Sequence, residues 1–267
     1  MNTQIFDLSS GPLAVGRTAE VYPWGEGKIL KLYLPGWDPR TVRYEARMAR
    51  AVQASGLPVP AAYDVVEING RAVLVYDRLD GEDMIAVLYR QPERVELLAR
   101  RQAELHAQIH DRVASLEIPP QRQRLIEKIH QAEVLPAELR PRILKALAEL
   151  PDGDRLCHGD FHAGNILITP GGETVIDWID VTRGNPLADV ARSVIIMRGA
   201  VEAGLVSDPQ AQAVVLSFCD IYLREYFRLR PGGEEEYQRW LPLVAAGRLS
   251  ENITVLQGWL IEMAKAA

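Results

Sequence analysis

The sequence predicts an α+β fold with two lobes, a small one with five strands and one helix and a larger one that is mostly helical. The first 80 residues alternate short β-type runs with a single helix, in the order β-β-β-α-β-β. After Gly81 the chain changes to long amphipathic helices, interrupted once by a strand-loop-strand segment. We therefore predict an N-terminal lobe over residues 1–80, a connecting segment at about 77–81 and a C-terminal lobe over residues 81–267.

The elements of the first lobe follow from local patterns. Three strand candidates are separated by glycine turns: Leu13–Val15, Glu20–Trp24 and Lys28–Leu34. Asp38 as N-cap and Pro39 at the first helical position predict a helix that runs to about Ala54 and stops at Ser55-Gly56. Two more strands, at 61–67 and 71–77, flank an Asn69-Gly70 turn, and this dipeptide is typical of β-hairpins.

The second lobe is predicted from helical periodicity. In the stretch 93–111, apolar residues fall on one helical face: Val95, Leu98, Leu105 and Ile109. Further helices are predicted near 119–132, 136–150, 186–203, 209–229, 234–246 and 250–265, with breaks at proline and at Pro231-Gly232-Gly233.

Composition limits the classes of protein and partner. Apolar residues at 48% and charged residues at 25% of 267 are ordinary for a globular protein. The net charge of −6 argues against a nucleic-acid partner. No run approaches the roughly 18 apolar residues of a membrane span, and the first residues have no signal-peptide pattern. Two cysteines, Cys157 and Cys219, are too few for a disulfide framework. We expect a cytoplasmic monomer or homodimer that binds neither nucleic acid nor a membrane.

The segment from Cys157 to Leu167, followed by Val175-Ile176-Asp177-Trp178, is the most informative part of the chain. Asp160 precedes Asn165 by five residues, and Asp177 follows twelve residues later in an apolar run. Phosphoryl transfer needs a carboxylate that accepts a hydroxyl proton, with an amide and a carboxylate that hold the metal on the nucleotide. The spacing is close to that of protein kinases, with His-Gly-Asp in place of His-Arg-Asp. The pattern predicts a small-molecule kinase.

In this hypothesis Asp160 is the catalytic carboxylate, and Asn165 and Asp177 bind Mg2+, a hard cation that prefers oxygen ligands. The alternative is a polar loop, or a zinc site that His158, Asp160 and His162 form with Cys157. Four donors within six residues leave little room for tetrahedral ligation of zinc.

Lys31 lies in the middle of the third predicted strand, and Glu45 lies in the helix that follows it. The two could form the ion pair that holds the lysine on the nucleotide phosphates. Alternatively, Lys31 is a solvated strand lysine and Glu45 a surface residue, which could pair locally with Arg43 or Arg47.

Two backbone segments are further candidates for nucleotide binding. The turn at 15–21, with Gly16, Thr18 and Ala19, could cover the phosphates with backbone N–H groups, or it could be a plain hairpin. The backbone of Asp77 and Leu79 could pair with the edge of an adenine, or that segment could be a simple connector.

Asp189 lies in the first turn of a predicted helix that Asn185-Pro186 begins. There a carboxylate interacts favourably with the helix dipole. In the functional hypothesis, Asp189 instead supports the backbone of the catalytic loop, and His158 is a supporting residue within that loop.

These residues resemble the aminoglycoside phosphotransferase and choline kinase-like family. The resemblance is carried by His158 to Asn165, by Ile176-Asp177-Trp178 and by Gly184 through Ala191, and it spans roughly residues 10 to 195. It implies a protein-kinase-like fold with a five-stranded antiparallel sheet, ATP or GTP with Mg2+ as cofactors, and a small-molecule hydroxyl acceptor. It implies the same roles for Asp160, Asn165, Asp177 and Lys31 as the motif does.

The acceptor is less defined. The family name favours an aminoglycoside-type antibiotic, which would make the chain an antibiotic-resistance enzyme. The alternatives are a metabolic kinase for choline, homoserine, a sugar or a macrolide, and a nucleotide-binding regulator without catalysis. Acidic residues of the C-terminal helices could recognise a polyamine, or they could form a solvated face: Asp220, Glu225, Glu234, Glu235, Glu236, Glu251 and Glu262. Four aromatic residues could line a pocket for a quaternary amine or a macrolide, or could be core: Tyr222, Tyr226, Trp240 and Trp259.

Overall fold

A computed structural model describes residues 11–16 and 18–267. Two predictions fall on residues outside this range. They are the absence of a signal-peptide pattern at the N-terminus and the part of the 15–21 turn formed by Arg17. The chain divides into two compact units. The first comprises the described residues up to Glu82 together with Leu167–Ile179, and the second comprises Asp83–Ile166 and Asp180–Ala267.

The first unit contains an antiparallel sheet of five strands in the order β1-β2-β3-β5-β4. Its strands are β1 (Ala14–Val15), β2 (Ala19–Pro23), β3 (Lys28–Tyr33), β4 (Ala62–Ile68) and β5 (Arg71–Asp77). Both residues of the β4–β5 turn have positive φ, 50° at Asn69 and 75° at Gly70. A two-residue hairpin turn of type I′ requires positive φ at both residues, so the turn predicted from Asn-Gly is present in the structure.

Each face of this sheet has its own apolar cluster. One face buries Tyr22, Leu30, Leu32, Ile68, Val73 and Val75. The other buries Ala19, Tyr33 and Leu74 with two residues of helix α1 (Pro39–Gln53), Val42 and Ala46. Because side chains alternate along a strand, Lys31 lies on the α1 side, opposite Leu30 and Leu32.

Helix α1 begins as its sequence predicts. The Asp38 carboxylate accepts a hydrogen bond from the backbone N–H of Arg40 at 2.8 Å, and Pro39 occupies the first helical position. This cap satisfies an N–H group that the helix itself leaves without a partner.

Residues 167–179 belong to the first unit, although the predicted division at residues 80–81 placed them in the second lobe. They include strand β9 (Gly172–Val175) and most of its sheet neighbour β8 (Ile166–Thr169). Asp177 bonds to Lys31 across 146 residues of sequence, and a Cβ on Gly81 would lie 2.7 Å from the Ile168 carbonyl oxygen. No local pattern encodes such contacts. The assignment of separate functions to the two lobes stays a prediction.

The second unit is mainly helical, with α3 packed along α7 and α6 packed against α8. Its helices are α2 (Met84–Arg90), α3 (Val95–His110), α4 (Gln121–Gln131), α5 (Leu139–Glu149), α6 (Pro186–Glu202), α7 (Pro209–Leu229), α8 (Glu234–Arg248) and α9 (Gln257–Ala264). Two short strands pair antiparallel, β7 (Arg155–Cys157) and β10 (Thr182–Gly184), while β6 (Glu82–Asp83) precedes α2.

Two features of this unit differ from the sequence prediction. Helix α2 was not predicted, and the expected helix at 250–265 is two short 3-10 turns, Leu249–Glu251 and Thr254–Leu256, followed by α9. Asn252, with a φ of 54°, separates these turns, and the left-handed conformation interrupts a continuous helix. Within the described part of the chain, no helix is both long and apolar enough to cross a membrane.

Candidate active site

Lys31 forms the centre of an ionic cluster in the first unit. Its Nζ lies 2.9 Å from Oε1 of Glu45 and 3.0 Å from Oδ1 of Asp177. Glu45 is 1% exposed, and the hydroxyl of Tyr76 donates a second hydrogen bond to the same oxygen at 2.8 Å. Burial alone would lower the pKa of Lys31, but the two carboxylates outweigh it and raise that pKa. Lys31 is therefore a fixed, charged group rather than a solvated strand lysine.

Asp177 combines an unusual backbone with an accessible side chain. Its φ of 65° lies in the left-handed region, which costs a non-glycine residue free energy. Its side chain remains 39% exposed while one oxygen bonds Lys31. Two carboxylates share the single charge of the lysine, so the exposed carboxylate has capacity for a further cation.

The candidate catalytic loop lies in the second unit, and its own side chains hold it. The amide nitrogen of Asn165 donates to the backbone carbonyl of Asp160 at 2.9 Å and reaches its Oδ2 at 3.4 Å. The ring of His158 accepts a hydrogen bond at Nδ1 from the Asp160 N–H at 3.2 Å, and His162 accepts one from the Gly164 N–H. The loop thus brings together two of the predicted site residues, Asp160 and Asn165.

The carboxylate of Asp160 is bound by Arg192 of α6. Nη2 of Arg192 donates to Oδ1 of Asp160 at 3.2 Å, Nη1 donates to Glu251 at 2.7 Å, and Nε donates to the carbonyl of Gly159. Burial would raise the pKa of Asp160, but the neighbouring His162 and Arg192 outweigh it and hold the pKa far below its ordinary value. Sequence reasoning missed Arg192. Its signal was the position one helical turn after Asp189.

Asp189 lies in the first turn of α6, and its buried carboxylate accepts four hydrogen bonds. The backbone N–H groups of His158 and Gly159 donate at 2.6 and 2.8 Å, and Nε2 of His106 and of His110 lie at 3.0 and 3.3 Å. The helix-dipole interpretation is compatible with this position. The contacts show in addition that the carboxylate holds the backbone just before Asp160.

His106 and His110 are fully buried on α3, and sequence reasoning missed both. Their Nδ1 atoms bond the hydroxyls of Tyr222 and Tyr226 at 2.6 and 2.7 Å. Burial and the mutual repulsion of the two rings lower the pKa of His106 to about 4, so the imidazole is neutral at pH 7. With Asp189 they form a group of metal-ligand type, but both nitrogens of each ring already have hydrogen-bond partners. The two histidines one turn apart on a predicted helix were their sequence signal.

Gly159 explains why the motif has glycine where protein kinases have arginine. Its φ is +80°, and a Cβ at this position would overlap the carbonyl oxygen of Asp180. Only glycine fits both conditions.

The structure does not support the alternative zinc site at Cys157, His158, Asp160 and His162. Cys157 is buried, and burial raises the pKa of its thiol well above the ordinary value, which disfavours the thiolate that zinc requires. Among the described residues, the group of metal-ligand type includes neither Cys157 nor His162.

The two backbone candidates lie in the first unit. The N–H of Gly16 donates to the carbonyl of Ala19 at 2.8 Å across the turn, and the carbonyl of Thr18 accepts from the N–H of Leu34 at 2.9 Å. Asp77 ends β5, and its carboxylate accepts hydrogen bonds from Ala61 and Tyr63, while Leu79 follows in an irregular segment. Their roles in nucleotide binding stay predictions.

Most of the acidic and aromatic candidates of the C-terminal helices have partners nearby or are buried in the core. Three of the acids pair with neighbouring basic groups: Asp220 with Arg198, Glu225 with Arg228, and Glu262 with Lys265. Glu236 bonds Asn185 and the ring N–H of Trp240. Tyr222, Tyr226 and Trp240 are core residues.

A family model described as the phosphotransferase enzyme family matches residues 12–231. The chain belongs to this family. No curated protein matches the phosphotransferase in sequence. The family confirms the predicted enzyme class, a small-molecule phosphotransferase that acts as a kinase.

Solved structures similar to the phosphotransferase share its fold at low sequence identity. A thermostable mutant of aminoglycoside phosphotransferase APH(4)-Ia has a TM-score of 0.64 and 17% identity, with 96% of this chain and 92% of that chain covered. Amicoumacin kinase hAmiN has a TM-score of 0.61 and 16% identity, covering 95% and 86%. A choline/ethanolamine kinase family protein from Mesorhizobium loti has a TM-score of 0.58 and 17% identity, covering 94% and 85%. The predicted α+β, protein-kinase-like fold is confirmed.

Proposed function

We propose that this phosphotransferase moves the γ-phosphoryl group of ATP or GTP to a hydroxyl group of a small molecule, with Mg2+ on the nucleotide. The main support is the cluster of Lys31 with Glu45 and Asp177 in the first unit. It presents a fixed cation for the phosphates together with an accessible carboxylate for the metal. The structure of hAmiN, named as a complex with AMP-PNP and Ca2+, is consistent with a nucleotide and a divalent cation.

The proposed metal ligands fit Mg2+ by their chemistry. The nitrogen of the Asn165 amide is used in its hydrogen bonds to Asp160, which leaves the amide oxygen as the ligand atom. Asp177 offers a carboxylate that is 39% exposed. Oxygen donors of this kind suit a hard cation, and Mg2+ bound there would neutralise charge on the transferred phosphoryl group.

The lowered pKa of Asp160 defines its part in the reaction. The carboxylate is ionised throughout the neutral range, so it can accept a hydrogen bond from the acceptor hydroxyl and orient it. In phosphoryl transfer through a loose transition state, positioning of the acceptor contributes more than its early deprotonation, and a carboxylate that orients the hydroxyl fits this requirement.

For the acceptor, the aminoglycoside hypothesis rests on the family name and on similar structures such as APH(4)-Ia. The second hypothesis is a metabolic kinase for a small alcohol or sugar. The pairing of several acids of the C-terminal helices with basic groups favours it. Asp220, Glu225 and Glu262 have basic partners beside them, which reduces the negative charge available to a polyamine.

The test is release of ADP or GDP by purified protein with Mg2+, across aminoglycosides, macrolides, choline, homoserine and sugars. Asp160→Asn should abolish turnover and leave binding of the magnesium nucleotide largely intact, whereas Asp177→Ala should weaken both. Asp64→Asn, a change at a carboxylate that is 90% exposed and belongs to no candidate site, is the matched control and should leave both unchanged. Nucleotide binding with no turnover on any acceptor, or an equal loss of nucleotide affinity in Asp160→Asn, would contradict the assigned roles.

A further inference from the structure

A row of alternating charges in the second unit leads from the end of α8 to the candidate catalytic carboxylate. Glu251, in the 3-10 turn that follows α8, lies 3.4 Å from Nε of Arg248 and 2.7 Å from Nη1 of Arg192. Arg192 in turn lies 3.2 Å from Oδ1 of Asp160. The side chains of Arg248, Glu251 and Arg192 are mostly buried, whereas that of Asp160 is 32% exposed. The row therefore begins inside the protein and ends at an accessible group.

Arg192 binds the backbone and the side chain of two consecutive loop residues. Its Nε donates to the carbonyl of Gly159, and its Nη2 donates to the carboxylate of Asp160. A guanidinium group is planar and holds its donors at fixed angles, so the two bonds together set the carboxylate relative to the loop backbone. The terminal torsion of an aspartate side chain otherwise has a broad range. Arg192 therefore restricts the rotation of the Asp160 carboxylate.

Glu251 holds the remaining end of the same guanidinium. Its Oε1 accepts a hydrogen bond from Nη1 of Arg192 at 2.7 Å, and its Oε2 lies 3.4 Å from Nε of Arg248. Three acceptors thus bind three different nitrogens of Arg192. The guanidinium cannot rotate without breaking at least one charge-assisted hydrogen bond, and such bonds are stronger than neutral ones. Glu251 therefore fixes the group that fixes Asp160.

The two oxygens of the Asp160 carboxylate are not equivalent. Oδ1 accepts the hydrogen bond from Arg192. The contacts of Oδ2 are longer, 3.4 Å to the amide nitrogen of Asn165 and 3.6 Å to Nε2 of His162. The Asn165 nitrogen also has a shorter bond, at 2.9 Å, to the Asp160 carbonyl. Oδ2 is therefore the oxygen with more capacity for a new hydrogen bond.

We propose that Arg192 and Glu251 are positioning residues for phosphoryl transfer: Glu251 fixes Arg192, and Arg192 holds Oδ1 of Asp160 so that Oδ2 accepts the hydrogen bond from the acceptor hydroxyl. The proposal rests on the proposed role of Asp160 and adds a direction to it. A hydroxyl that meets one fixed oxygen is held in one orientation, and a displacement of about 1 Å in such a group can lower a rate about 100-fold. The segment after α8 then contributes to the reaction through Arg192.

The first experiment compares crystal structures of the wild type, Arg192→Met and Arg100→Met. Arg100 of α3 forms an exposed ion pair with Glu96 at 2.6 Å, so its replacement is the matched control. We expect a single conformer of the Asp160 side chain, with Oδ1 on Arg192, in the wild type and in Arg100→Met. In Arg192→Met the carboxylate should rotate away from this conformer or occupy two. The same single conformer in all three proteins would overturn the proposal.

The second experiment measures steady-state kinetics with the acceptor that turns over in the panel described above. Arg192→Met should lower kcat about 100-fold, and Arg192→Lys, which keeps the charge without the planar guanidinium, about 10-fold. Because Arg192→Met leaves two carboxylates without their shared cation, Glu251→Gln supplies a milder variant, with a loss of about 3- to 10-fold. The nucleotide KM should be unchanged in all three. Arg100→Met and Glu96→Gln should behave like the wild type.

A double variant tests whether Glu251 acts through Arg192. Glu251→Gln should cause no further loss of kcat in Arg192→Met, because the group through which it acts is already absent. Additive losses would overturn the role of Glu251. An unchanged kcat in Arg192→Met, or a change confined to the nucleotide KM, would overturn the role of Arg192. If no acceptor turns over, the kinase function is contradicted instead, and the crystal structures still decide whether Arg192 fixes Asp160.

Discussion

The carboxylate of Asp189 accepts a hydrogen bond from the backbone N–H of Gly159 at 2.8 Å, immediately before the candidate catalytic Asp160. Three more donors, from His106, His110 and His158, reach the same carboxylate. A buried anion with four donors is stable only while all its hydrogen bonds are made. Asp189 of α6 therefore fixes the loop backbone at the two residues that precede Asp160.

Asp189→Asn should reduce both stability and turnover. The amide presents one acceptor oxygen and adds an N–H₂ group that opposes the existing donors. We expect the free energy of unfolding to fall by about 3 kcal/mol, measured by urea denaturation, and kcat to fall with it. Asp220→Asn, at an exposed carboxylate, should change stability by less than about 0.5 kcal/mol. A loss of stability that is equally small in Asp189→Asn would contradict the bracing role.

The buried histidines should make stability depend on pH. The pKa of His106 is about 4 in the folded protein and about 6.5 when unfolded. Between these values the unfolded state binds a proton that the folded state does not, so stability decreases as the pH falls from 6.5 to 4. The loss from this residue is at most about 3 kcal/mol. Urea midpoints from pH 7.5 to 4.5 measure it.

His110 has a pKa lowered in the same direction, also because of burial, and should add to that slope. His106→Gln should show a shallower slope, whereas His130→Gln, at an exposed position, should retain the wild-type one. Stability that is flat or rises toward pH 4.5 would be incompatible with neutral buried imidazoles.

Gly159→Ala separates backbone strain from steric overlap. At Gly159 a methyl group meets both a φ of +80° and the carbonyl of Asp180, whereas at Gly204 the φ is +67° and the space is open. Gly204→Ala should cost about 1 kcal/mol of stability and no activity. Gly159→Ala should cost more stability and reduce kcat at least about 10-fold. Similar effects of the two changes, measured by denaturation and steady-state kinetics, would show that the overlap is relieved without moving the loop.

The Lys31 cluster predicts a graded series for nucleotide binding. Glu45→Gln removes the buried negative charge 2.9 Å from Lys31, and Tyr76→Phe removes only the hydroxyl that orients Glu45. We expect the nucleotide KM to rise about 10-fold in the first and about 2- to 3-fold in the second. Tyr89→Phe, at an exposed tyrosine of α2, is the control. An unchanged KM in Glu45→Gln would mean that Lys31 needs no ionic partner.

Local chemistry made most of the fold predictable. Asp38-Pro39 and Asn69-Gly70 determine a helix start and a hairpin turn within two residues each, and both form in the structure. Helix α2 was missed because it has only seven residues, too few for a periodic pattern. Its signal was Asp83, whose carboxylate caps the helix by accepting from the N–H of Ala86.

Some residues of the candidate site were also predictable from the sequence, and others were not. Asp160, Asn165 and Asp177 could be found because their spacing along the chain is itself the motif. His106 and Arg192 had only a position on a helix as their signal, since their roles come from contacts with residues far along the chain or on another element. His106 meets Asp189 across 83 residues and Arg192 meets Asp160 across 32, and no periodicity reports such pairings.

The paired bonds of His106 with Tyr222 and of His110 with Tyr226 set the alignment of α3 and α7. Each pair spans 116 residues, and the two pairs lie one turn apart on both helices. If α7 slid by one turn, about 5.4 Å, one imidazole and one hydroxyl would be buried without partners. Substitution at any one of these four positions would therefore leave its partner without a hydrogen bond. In related chains we expect the histidine and tyrosine of a pair to be kept or replaced together, so that these positions covary as two couples.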